Sequence, residues 1–377
     1  MKKSILLTLL IFCTLSCASN IELLDPIEFQ TTIDGKQVDL FTIRNKKGMV
    51  SQITNYGGRV ISLWVSDRNR VFDDVVLGYP LLRLYTNSDE RYFGALIGRY
   101  GNRIENGKFS LLDKEYNLAK NNDKNHLHGG NKGFNQVVWD AKKINESTLE
   151  LRYLSPDGEE GYPGNLDIKV VYTLTEENAL KIEYEASTDK ITPVNLTHHS
   201  YFNLKGAGEG NVRNHFLQIN ADTFTPVDEG LIPTGEIRPV EGTQFDFRNS
   251  RLIGYHLDAP QEQLQLGLGY DHNYIINGSG LRFAAKVEEY ITGRTMEVWT
   301  DEPGLQFYSG NHLDGMNIGK KERHYHHFGA ICLEAQHFPN SPNEESFPST
   351  LLYPGELYTS TCIYKFGIIK RGKDYVN

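Results

Sequence analysis

Glu334 lies within Gly329-Ala-Ile-Cys-Leu-Glu-Ala-Gln-His-Phe338, a run that otherwise has the composition of a buried strand. An ionised carboxylate leaves water only when it is paired or put to use, because desolvating it is costly. The same desolvation lifts its pKa toward neutrality, where a general base works best. On an extended strand Ile331, Leu333 and Ala335 point to one face, and Cys332, Glu334 and Gln336 to the other. A structural carboxylate neutralised by a nearby Arg or Lys fits this strand equally well.

Five further segments carry polar groups that a β scaffold does not need. They are Gly98-Arg-Tyr-Gly-Asn-Arg-Ile104, Asn125-His-Leu-His-Gly-Gly130, Asn195-Leu-Thr-His-His-Ser-Tyr-Phe-Asn-Leu204, Gly269-Tyr-Asp-His-Asn-Tyr274 and Gln306-Phe-Tyr-Ser-Gly-Asn311. Taken singly, each has an ordinary structural explanation. A histidine beside aromatics is commonly a hydrogen-bonded core residue, and Asp-His-Asn commonly makes turn bonds to its own backbone. A metal centre is a further reading, since His126 with His128, and His324 with His326, form H-x-H pairs that Glu334 could complete. The second pair lies among Lys320, Lys321, Glu322 and Arg323, the composition of an exposed loop, so metal catalysis is the weaker reading.

The elements that must position these groups read as strands. In residues 148–154, Leu149, Leu151 and Tyr153 share a face; in 167–174 the apolar set is Ile168, Val170, Tyr172 and Leu174; in 179–186 it is Leu180, Ile182 and Tyr184. The last two runs flank the turn Glu176-Glu-Asn178 and predict a hairpin. Residues 109–118 predict another, turning near Asp113-Lys114. No stretch holds a helical period over three turns; residues 81–91 and 250–257 are the candidates for short surface helices. The expectation is an all-β chain, a large antiparallel sandwich forming a single domain over residues 21–372, with function on a concave face.

Lys2-Lys3, an apolar run over residues 5–15 and Ser16-Cys17-Ala18-Ser19 have a secretory signal layout, too short to span a membrane. Residues 1–17 therefore predict a signal peptide of lipoprotein type, with Cys17 acylated; ordinary cleavage after Ala18 is the rival. Either route predicts an exported protein of a bacterium, periplasmic or anchored to a membrane through Cys17. Of the four cysteines only Cys332 and Cys362 lie in the body of the chain, which is no disulfide framework. A formal charge of −9 without basic clusters argues against nucleic acid as a partner.

In order, Asn102-Arg103, Leu127-His-Gly-Gly130, residues 195–204, Gly269-Tyr-Asp-His-Asn273, Gln306-Phe-Tyr-Ser-Gly310 and Leu333-Glu334 closely resemble the motif set of the aldose 1-epimerases, or galactose mutarotases. The likeness runs from about Phe41 to Phe366 and includes Asn55-Tyr-Gly-Gly58 and Tyr353-Pro-Gly355. Each motif is weak alone; their order is specific. The resemblance implies a β-sandwich with no metal and no organic cofactor, acting on a small aldose sugar such as galactose or glucose. By motif it assigns Glu334 as general base and His199 as general acid, with Asn102, Arg103, His128, Asp271 and Gln306 holding the sugar hydroxyls. One departure is His198, where many relatives carry Asn; His199, directly before Ser200-Tyr-Phe-Asn-Leu204, takes the acid's place. Two other classes stay open: a glycosidase using Glu334 and Asp271 as its carboxylate pair, and a non-catalytic carbohydrate-binding protein.

Overall fold

The structure, a computed structural model, describes residues 21–369. The all-β expectation holds. A nine-stranded antiparallel sheet forms one layer, with the strands Leu166–Leu174, Ala179–Thr188, Tyr358–Ile368 and Arg294–Thr300 adjacent at its centre. The predicted hairpin is there, pairing Leu174 with Leu180 across its turn. The second hairpin pairs Lys108–Leu111 with Lys114–Asn117, and Leu112 and Asp113 both take positive φ at its tip.

The second layer is assembled from pieces. A five-stranded sheet runs in the order Arg238–Pro239, Thr223–Thr225, Asp271–Ile275, Gly304–Tyr308, Cys332–Gln336. Beyond Cys332–Gln336, Phe202 and Ile331 exchange backbone hydrogen bonds, and the Thr197 hydroxyl donates to the Ala335 carbonyl at 2.8 Å. The strand Thr197–His199 in turn pairs with Ala95–Ile97. Leu96 then bonds the Gly57 carbonyl, and Val60 that of Gly94, reaching a four-stranded sheet built around Val50–Thr54 and Arg59–Ser66.

Alternation decides what lies between the layers. Leu149, Leu151, Ile168, Val170, Ile182 and Val298 from the large sheet join Val60, Leu96, Leu196, Phe307, Leu333 and Ala335 in one buried cluster. Two tyrosines cross the gap: Tyr172 donates to the Gly58 carbonyl at 2.8 Å and Tyr364 to that of Leu333 at 2.8 Å. With Leu333 and Ala335 committed to this core, Cys332, Glu334 and Gln336 face the opposite side, as the alternation requires.

The two α-helices among the described residues are Leu82–Asn87 and Glu262–Leu266. The first is the core of the expected 81–91 helix. The expected 250–257 helix is only a single 3-10 turn, Ile253–Tyr255; the helix forms after Pro260, where the Gln261 side chain caps the Leu264 amide.

Candidate active site

A cavity of about 180 Å³ opens on the outer face of the five-stranded sheet, and Glu334, His199, Asp271, Asn102, Arg103 and His128 all line it. Glu334 and Asp271 project from neighbouring positions of one sheet face, because Glu334 pairs with Gln306, and Asp271 with Tyr308 two residues along the shared strand. His199 arrives on the next strand. Its Nε2 lies 3.6 Å from Glu334 Oε1, and both side chains are almost wholly buried. Its Nδ1 is 3.5 Å from Cys332 Sγ, so Nε2 is the nitrogen that faces Glu334. The Tyr92 and Tyr201 rings stack against the imidazole at 5.7 Å and 5.0 Å.

His198 goes elsewhere. Adjacent strand residues point to opposite faces, so its ring sits between the layers, bonded to Ser200 Oγ at 2.7 Å and close to Tyr172. The strand therefore brings His199 to the cavity and turns His198 away from it.

Asn102, Arg103 and His128 come together through a short ladder that pairs Arg103–Ile104 with His126–Leu127. Asn102 takes φ 62, a conformation that asparagine tolerates better than most residues, and its amide donates to His128 Nδ1 at 3.1 Å. That bond fixes the tautomer of neutral His128, which must carry its proton on Nε2. His128, Gly129 and Gly130 all have positive φ. A Cβ on Gly129 would stand 1.8 Å from the Gly98 carbonyl oxygen, so only glycine lets this loop approach so closely. Arg103 donates through Nε to Asn122 Oδ1 at 2.9 Å and reaches Asp271 Oδ2 at 3.8 Å through NH1.

Gln306 is placed differently from the rest. It shares the sheet face of its cross-strand partner Glu334 but does not line the cavity; its Nε2 donates to Asp271 Oδ1 at 2.7 Å, so it acts on the cavity through Asp271. Arg99 belongs to the framework: its guanidinium bonds the Pro163 and Gly164 carbonyls and Ser155 Oγ. The H-x-H pairs do not form a centre. His126 spends one nitrogen on the Ala119 carbonyl and the other on Tyr162 Oη, while His324 bonds the Gly315 carbonyl on an exposed loop. His128, His199 and Glu334 do offer three ligand atoms within 4.8 Å of one another, a spacing that could also hold a cation.

Sequence reasoning missed Glu90, Tyr92 and His312, which also line the cavity. The signal for Glu90 was a carboxylate two residues before the aromatic pair Tyr92-Phe93, and it was masked because residues 81–91 read as one surface helix. The helix in fact ends at Asn87, and the chain behind it turns inward.

Burial dominates the electrostatics. Glu334 is pushed well above the usual carboxylate range by desolvation, helped by Asp271 and opposed by Arg103. Desolvation lowers His199 to about 3 and holds His128 well below its ordinary value. Cys332 is held far above the usual thiol range and stays protonated.

The family model for aldose 1-epimerases matches residues 39–365. The chain belongs to the aldose 1-epimerase family. It is 45% identical to galactose mutarotase of Homo sapiens over 317 residues, 84% of this chain and 90% of that one. It is 37% identical to aldose 1-epimerase of Escherichia coli K12 over 337 residues, 88% and 96% of the two chains. Among solved structures, an aldose epimerase homologue from C. elegans superposes with a TM-score of 0.82 at 29% identity, covering 88% of this chain and all of that one. Galactose 1-epimerase from Lactobacillus acidophilus NCFM gives 0.80 at 30% identity, covering 90% and 97%.

These relatives correct the compartment expected of the epimerase. The expectation of an exported bacterial protein, periplasmic or anchored through Cys17, is overturned by the match to mammalian galactose mutarotases such as those of Bos taurus and Homo sapiens, which are not exported bacterial proteins. It rested on the Lys2-Lys3 head, the apolar run and Ser16-Cys17-Ala18-Ser19, a short local pattern. The family match begins at residue 39, and Cys17 lies outside the described residues. No helix among the described residues is long and apolar enough to cross a membrane.

Proposed function

We propose that Glu334 and His199 are the acid–base pair with which this isomerase interconverts the α and β anomers of aldohexoses. The observation that carries the assignment is their opposition across 3.6 Å at one cavity wall, with neither side chain in another ion pair among the described residues. Opening a hemiacetal ring takes the proton from O1 and delivers one to the ring oxygen O5; rotation about C1–C2 and the reverse transfers close it on the other face. Glu334 accepts the O1 proton while His199 gives its own to O5. Ring opening thus moves the pair from carboxylate with imidazolium to carboxylic acid with neutral imidazole, and closing moves it back. The pair holds one proton throughout, and no covalent bond to the protein is needed.

Burial favours the neutral form of the pair. The ionised form is the one supported when Arg103 and the sugar's hydroxyls surround Glu334. His128, with its proton on Nε2, can donate to a sugar oxygen and stabilise charge developing there. Asp271, held by Gln306, accepts from a secondary hydroxyl, and Asn102 offers its side-chain NH2, its backbone amide being spent on His128. The tautomer set by the Asn102 amide favours this donor role for His128 over metal ligation through Nε2.

Polarimetry on freshly dissolved α-D-glucose and α-D-galactose tests the reading. Wild type should accelerate the approach to equilibrium, equally before and after treatment with a chelator. Glu334→Gln and His199→Asn should each lose ~10²–10⁴ in kcat, and the double variant little more, because the two act as one unit. Acceleration surviving in either single variant, or abolished by the chelator alone, would reject the pair as assigned.

A further inference from the structure

The cavity wall holds a third carboxylate that the proton transfers do not use. Glu90 follows the helix Leu82–Asn87, and its amide is held by Ser88 Oγ at 3.0 Å. Its Oε1 accepts the Tyr92 amide at 2.9 Å, and its Oε2 accepts the Tyr201 hydroxyl at 3.3 Å. An ionised carboxylate has about four acceptor positions. These two bonds leave half of them open on a side chain that lines the same cavity as Glu334 and His199.

Its place relative to the reacting atoms follows from the stacking. The Tyr201 ring lies nearly parallel to His199, at 25° and 5.0 Å, and its hydroxyl carries Glu90. If His199 serves O5 and Glu334 serves O1, a group attached on the Tyr201 side of His199 stands beside O5 without sharing O1. The other neighbour of O5 in a pyranose is C5, with its CH2OH substituent. Charge points the same way. Glu334 and His199 share one proton and together carry no net charge in either arrangement, and burial keeps His128 neutral, which leaves Glu90 and Asp271 on the cavity against one lining guanidinium, Arg103. The Arg59 guanidinium lies underneath, engaged with the carbonyls of Arg91, Phe93 and Asn135. A wall of that sign welcomes a hydroxyl on C6 and repels a carboxylate there.

We propose that Glu90 is a specificity-determining residue of the epimerase, accepting a hydrogen bond from the C6 hydroxyl of the bound aldohexose and excluding sugars with a carboxylate at C6. The inference rests on the assignment of His199 to O5. A purely structural role, holding the turn before Tyr92, is the alternative, and it predicts the same loss for every sugar.

The test compares D-galactose, its 6-deoxy analogue D-fucose, and D-galacturonate with wild type, Glu90→Gln and Glu90→Leu. Mutarotation gives kcat and KM, and calorimetric titration gives binding. Wild type should prefer galactose over D-fucose by about tenfold in kcat/KM, the scale of one hydrogen bond to a charged group. That ratio should collapse toward one in Glu90→Leu, chiefly through KM. Glu90→Gln keeps an acceptor oxygen for the Tyr92 amide and can donate its NH2 to the Tyr201 hydroxyl but removes the charge, and should improve galacturonate relative to galactose by about tenfold. A wild-type ratio near one, or equal losses for all three sugars in both variants, would overturn the proposal. Binding without mutarotation would count against the proposed function instead, and the Glu90 ratios would then be read from binding.

Discussion

His199 and Glu334 titrate in opposite senses because burial removes charge from each. Lowering the imidazole to about 3 and raising the carboxylate widens the interval over which the pair carries its single proton. Activity requires that state. On the acid side it ends when His199 gains a proton alongside protonated Glu334, and on the alkaline side when Glu334 loses its own. The expected kcat/KM profile is a broad bell whose acid limb lies well below 6.5, the ordinary imidazole value, and whose alkaline limb lies well above the usual carboxylate range. Mutarotation followed against pH, corrected for the spontaneous rate, would show this; an acid limb at or above the ordinary imidazole value would contradict it.

At the scale of elements, the cavity depends on a rim segment, residues 310–328, that has little regular structure of its own. It carries His312, which stacks on Tyr308. Its anchor is Lys320, a buried ammonium that donates to the Ile61 and Val76 carbonyls and to Asp74 Oδ2, at 2.5, 2.8 and 2.5 Å. Asp74 also accepts from the Leu63 and Val76 amides. Tyr325 of the same segment donates to the Gly78 carbonyl at 2.7 Å, so two side chains tie the rim to the four-stranded sheet and the residues that follow it. Removing one partner of a buried pair strands the other. Lys320→Met should therefore destabilise the fold by about 3–5 kcal/mol, and adding Asp74→Asn should recover part of that loss. Urea unfolding of the single and double variants checks this; a double variant no better than the single would refute the pairing argument.

For the whole molecule, one buried cluster extends from Ile43 to Phe366 and joins both layers. The chain from residue 21 should consequently unfold as one cooperative unit. Trp64 lies in the four-stranded sheet and Trp299 in the nine-stranded sheet, so tryptophan emission reports both layers. Its urea transition should coincide with that of circular dichroism, and two separable transitions would refute the single unit. Much of this architecture was legible in the sequence, since a strand's two-residue period is local: the hairpin of residues 166–188, the core face of Leu333 and Ala335 and the outward face of Glu334 all follow from alternation. The order of the polar motifs likewise pointed to the residues that now line the cavity. What alternation could not supply was the company each side chain keeps. That His198 turns to the core while His199 meets Glu334, that His126 is consumed by Tyr162, that Gln306 spends its amide on Asp271, and that Glu90 enters the wall were decided by tertiary structure. The sequence by itself determined which faces are apolar and which residue types could do acid–base chemistry, because both are properties of neighbours along the chain. Only the folded chain decided which of those residues share one cavity, because that depends on closing loops between strands far apart in sequence.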